Sequence, residues 1–154
     1  MHIYALPSGK LLHRSEYYIP RARPHLRYFK FSHSGDIYFD GKRLRFSEHG
    51  NLLAQLPDAS GSVILSADFS PDDARLAILR ETLAGPGKAQ RYLQIFSISP
   101  AAENQATPVV VQPLWQPRIA APAHSTVIRF DSDGKQIWVG GFDGRLARLE
   151  LPGS

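Results

Sequence analysis

A short phrase occurs three times in this chain: Phe31-Ser32-His33-Ser34-Gly35, Phe69-Ser70-Pro71-Asp72-Asp73 and Phe130-Asp131-Ser132-Asp133-Gly134. Each copy follows an apolar, strand-like run and precedes another. Ser, Asp, Pro and Gly bend a backbone, by side-chain hydrogen bonds to nearby amides, by a fixed φ or by access to positive φ. A strand, a tight turn and a strand, used repeatedly, restrict the chain to an all-β repeat architecture of antiparallel, propeller-like units. No segment sustains a 3.6-residue apolar period, so little helix is expected.

The phrases divide residues 1–154, taken as a single β domain, into units. Residues 1–13 read as an N-terminal hairpin, with Pro7-Ser8-Gly9 as its turn. Residues 26–57 form the first repeat unit. On its opening strand Tyr28 and Lys30 share one face, and Phe29 and Phe31 the other. Asp40-Gly41 and Gly50-Asn51 are hairpin signals that separate the later strands of this unit. Residues 61–111 form the second unit, with Val109-Val110-Val111 as its last strand. Residues 112–124 are a Pro/Ala-rich insertion anchored by Trp115, and residues 125–151 are a partial third unit. The spacing exposes the insertion directly: Phe31 to Phe69 is 38 residues, Phe69 to Phe130 is 61.

An apolar content of 43% supports a packed core, and no apolar run reaches the length that spans a bilayer as a helix. The N-terminus lacks the basic-then-apolar pattern of a signal peptide, so the default expectation is cytoplasmic, with no membrane partner. A piece of an exported protein fits the same letters. With no cysteine, disulfides and thiolate metal sites are excluded. The net charge of +4 is uneven: residues 1–50 hold 9 Lys and Arg against 4 Asp and Glu. Two readings stand for that excess, an acidic or phosphate-bearing partner and a solvated face of arginines.

Val63–Leu79, with its Phe-Ser-Pro-Asp-Asp turn, resembles the WD-repeat and related bacterial propeller consensus. Ile3 to Leu12 is similar to the third strand, turn and fourth strand of such a repeat. Gln136 to Leu149 resembles the two-component-regulator propeller repeat. The resemblance as a whole covers about three quarters of the chain, leaving out about 14–25 and 100–124. The chain departs from true WD repeats in having no Gly-His pair before a strand and no Trp-Asp dipeptide ending one. A propeller blade takes roughly 40–45 residues, and a closed ring at least four blades. The resemblance therefore implies about three to four blade units in an incomplete or oligomer-completed ring.

Catalytic patterns are not marked. There is no Gly-x-Ser-x-Gly elbow and no glycine-rich phosphate loop. The six histidines lack metal-site spacing. Asp131 to Gly134 alternates carboxylates before a glycine, as a calcium loop does, but the same letters make a hairpin turn and one ligand pair is too few. The expectation is no enzyme, no metal and no cofactor. Residues 14–30 interleave cations with aromatics: Arg14, Tyr17, Tyr18, Arg21, Arg23, Arg27. With Trp115, these are the candidate partner-binding residues. The leading expectation is a non-catalytic scaffold that binds another protein or another copy of itself. The alternative is a nucleic-acid-binding module that uses the stretch 14–30, cations on phosphates and aromatics on bases. A ligand-sensing or enzymatic propeller fragment is the third, and it requires a pocket with convergent polar groups.

Overall fold

The computed structural model describes residues 2–4, 11–14, 28–57, 61–82, 90–98, 109–110, 113–115, 125–141 and 143–151. The chain is all-β, with no helix among these residues. Strands β1 (His2–Tyr4) and β2 (Leu11–Arg14) pair as an antiparallel hairpin. The first sheet is built from β3 (Lys30–Phe31), β4 (Ile37–Phe39), β5 (Arg43–Phe46) and β6 (Leu52–Gln55), each antiparallel to the one before. The second contains β7 (Ser62–Phe69), β8 (Arg75–Thr82) and β9 (Gln90–Ser97). After β10 (Val109–Val110) and β11 (Pro113–Trp115) comes the third sheet, β12 (Ser125–Phe130), β13 (Gln136–Gly141) and β14 (Leu146–Glu150). No sheet closes on itself.

One strand assignment is corrected. Val109–Val110 pairs in parallel with β6 of the first sheet, not with the second. The fourth strand of the second sheet is Pro113–Trp115, antiparallel to β9, in the segment read as insertion. Pro113 lacks an amide donor and therefore suits an outer strand. The stretch thus supplies outer strands to two sheets, and both are short, which limits the edge left for further pairing.

Two apolar clusters hold the three sheets in a stack. Ile37, Phe39 and Leu44 of the first sheet pack on Ala67, Phe69, Leu76 and Ile78 of the second. On the other side, Ala77, Leu79, Leu93 and Ile95 meet Ile128, Ile137 and Val139 of the third. Side chains alternate across a strand, so the run Leu76-Ala77-Ile78-Leu79 serves both clusters at once. That explains why the middle of β8 is continuously apolar, while β14, with one face in solvent, alternates.

The three phrases adopt one turn geometry. The amides of Ser32, Ser70 and Asp131 donate to the carbonyls of Ile37, Arg75 and Gln136. The amides of Gly35, Asp73 and Gly134 donate back to Ser32, Ser70 and Asp131. The residue at that fourth turn position has positive φ in every copy: +82° at Gly35, +56° at Asp73 and +72° at Gly134. Glycine suits this conformation, and Asp is among the few other residues that tolerate it. Ser or Asp at the turn's first position then accepts the amide of the returning strand, as Ser32 does from Ile37, Ser70 from Arg75 and Asp131 from Gln136.

Candidate functional site: charged inner strands and two open faces

Aligned on the phrase, β3, β7 and β12 are equivalent, and they lie side by side. Equivalent positions meet across both sheet junctions, a side-chain hydroxyl on one strand against the backbone of the next. Tyr28 Oη donates to the Ala67 carbonyl at 2.7 Å, and one junction later the Ile128 amide donates to Ser66 Oγ at 3.2 Å. The residue just before the phenylalanine is charged in each copy: Lys30, Asp68, Arg129. Asp68 binds both of the others, with Lys30 Nζ at 2.9 Å and Arg129 Nη1 at 3.0 Å from Oδ1. Its Oδ2 accepts the Phe130 amide at 2.9 Å. The Asp68 side chain is 5% exposed, and that of Arg129 is 57% exposed. One buried carboxylate thus pins three sheets, and Arg129 still faces solvent.

A second set of links joins the turns. Asp73 Oδ1 and Oδ2 accept the amides of His33 and Ser34 at 2.7 and 2.8 Å. Burial opposes the charge on Asp73, but these donors outweigh it and hold the carboxyl below its ordinary value. Asp72 is also lowered, chiefly by the Ser70 hydroxyl. Arg75 Nη2 donates to the Gly134 carbonyl at 2.9 Å and lies over the Phe130 ring. Glycine suits position 134 chiefly for its φ of +72°, and a Cβ there would also crowd Arg75 Nη2 at 3.3 Å.

The Asp73 link predicts a pH dependence. A carboxyl depressed in the folded state contributes stability above its unfolded pKa, near the ordinary 3.8. That contribution falls away as pH drops through the folded value. Asp73→Asn keeps the tolerance for positive φ but removes the charge. It is expected to lose about 1 kcal/mol at pH 7, at the low end for charged hydrogen bonds because the site is near solvent. Urea unfolding at pH 7 and pH 2.5 checks this: the gap between wild type and variant should narrow in acid.

A cleft of about 710 Å³ opens beside these turns, between the first two sheets. Asp36, Glu48, His49, Asp72 and Asp73 line it, with no lysine or arginine among the described residues. The carboxylates of Asp72 and Asp73 are occupied by turn and cross-sheet amides. Among the described residues, no group of three or more His, Asp or Glu is placed to hold a metal ion.

Among the described residues, two faces of the stack carry exposed large apolar side chains. On the first sheet, Phe29 and Phe31 stand over Tyr38, with ring centroids 4.9 and 5.8 Å from it. Burial of Tyr38 beneath them raises its pKa. On the third sheet, Val127, Trp138 and Leu146 are exposed, and Arg148 lies over the Trp138 ring at 6.0 Å. The large apolar side chains exposed among the described residues all lie on these two faces.

Most of the expected partner residues are not placed relative to these faces: Tyr17, Tyr18, Arg21, Arg23 and Arg27 lie outside the described residues, as does most of the stretch 14–30. Arg14 is the last residue of β2, and Trp115 ends β11. Arg129, Trp138 and Arg148 were not singled out from the sequence. The signal existed: the residue before the phenylalanine is charged in every copy of the phrase, within a strand that carries no other charge.

No protein-family model matches the chain, and no curated protein matches it.

Proposed function

We propose that the chain is a non-catalytic, propeller-like scaffold that binds another protein through the open faces of its sheet stack. The sequential antiparallel order of β3 to β6, β7 to β9 and β12 to β14, the equivalent inner strands and the thrice-used turn support blades arranged about a common axis. The observation that carries the binding role is the confinement of exposed large apolar side chains to the two end faces. Solvated surfaces scatter such residues singly, whereas docking surfaces gather them. Trp and Arg together on the third sheet fit the composition of interface hot spots. The cleft beside Asp36 and Glu48 keeps a ligand-sensing reading in view, and the basic stretch 14–30 keeps a nucleic-acid one.

The test is retention of a partner by the immobilised full chain, and its loss with Trp138→Ser/Leu146→Ser. The retained protein is then purified and rebound. Equal binding of that purified partner to both chains would sink the proposal. So would retention of nucleic acid alone, lost on replacing Arg21, Arg23 and Arg27 by Ala and weakened steeply by salt.

A further inference from the structure

The geometry points to an acidic β-sheet surface of a different protein as the occupant of the third sheet's open face. This rests on the scaffold reading above and names the partner's chemistry. Strand register places Arg129, Trp138 and Arg148 in one row across β12, β13 and β14. Trp138 therefore sits between two arginine positions: Arg148 lies over its ring, Arg129 holds Asp68 with one guanidinium nitrogen, and Leu146 is one step away on the same face.

The two junctions inside the chain indicate what such a face takes. At each, the residue before the phenylalanine meets its equivalent on the next sheet, and the signs are opposite: Lys30 with Asp68, then Asp68 with Arg129. Continuing the series, Arg129 calls for a carboxylate on the next inner strand. Apolar residues at the positions of Ala67 and Phe69 would then cover Trp138 and Leu146.

A second copy does not supply this. Added head to tail, it would bring its own first sheet, whose equivalent residue is Lys30. Two cations would meet at a junction where the chain elsewhere sets opposite charges, and like charges across an interface disfavour association. A phosphate backbone satisfies the arginines but offers no apolar sheet to match the buried junctions.

The experiment has two arms, both on the full chain. Light scattering over a dilution series should give the 17.1 kDa mass of one copy. A stable dimer that Trp138→Ala returns to monomer would overturn the inference, because a second copy would then be the occupant. In the other arm, poly-L-glutamate is titrated at low salt into the Trp115→Phe chain, and the emission of Trp138 is read. Binding is expected, and Arg129→Ala/Arg148→Ala should weaken it at least about tenfold. Arg148→Ala alone, which touches no ion pair with Asp68, should weaken it in the same direction and guards against misfolding of the double variant. No response, or a stronger response to oligodeoxythymidylate, overturns the inference. A purified partner that docks on this face without carboxylates would do the same while leaving the scaffold reading standing.

Discussion

Replacing Phe69 by Ala should cost about 3–5 kcal/mol, the range for truncating a fully buried aromatic side chain. Phe69 has no exposed surface and packs between the first and second sheets. A domain of this size commonly has about 5–15 kcal/mol in all, so the variant should unfold about 10 °C or more below wild type. The informative comparison is Phe31→Ala, at the same position of the first phrase. Phe31 is 40% exposed and touches Phe29 and Tyr38 on the open face. Its loss should cost about 1 kcal/mol, from partial area and one aromatic contact. Thermal melts of the two variants check the pair. Equal costs would mean that the first sheet's outer face is covered in solution, and that it is not available to a partner.

That comparison also marks how far the sequence could be read. Strand positions follow from alternation and turn chemistry, both local. Tyr28 and Lys30 share a face, as do Phe96 and Ile98 against Leu93 and Ile95, because a period of two is carried by neighbouring letters. The positive φ of the fourth turn position was similarly local, announced by Gly35 and Gly134. Which face of a strand is covered is not local. Phe31 and Phe69 open the same phrase, yet one lies on an end face and the other in a core, because among the described residues the second sheet alone is packed on both sides. Asp73 shows the same limit. In sequence it occupies a glycine position of a turn, and its partners, the amides of His33 and Ser34, lie about 40 residues away. Val109–Val110 was misassigned for a related reason, since a valine run is compatible with any free sheet edge and its actual edge belongs to an earlier sheet. Aligning the three phrases column by column would have recovered Lys30, Asp68 and Arg129, the one part of the site encoded by repetition.

Asp68→Ala should be the most damaging polar substitution, at about 2–4 kcal/mol. Three donors lose one acceptor group, and the Phe130 amide is left without it at a buried junction. Lys30 and Arg129 would also remain close together without the anion between them. The figure stays below that of a wholly buried ion pair because Arg129 and, in part, Lys30 reach solvent, which screens them. Asp68→Asn separates the contributions. An amide oxygen can still accept the Phe130 N–H, so what is lost is the charge, and the cost should be about half as large. A double-mutant cycle with Arg129→Ala, by urea unfolding, should give a coupling of about 1 kcal/mol that shrinks in 1 M salt. A coupling of zero at low salt would mean that Arg129 is not held by Asp68 in solution. The guanidinium would then be free to turn fully toward a partner, and the alternation of charge along the inner strands would cease to specify that partner's sign.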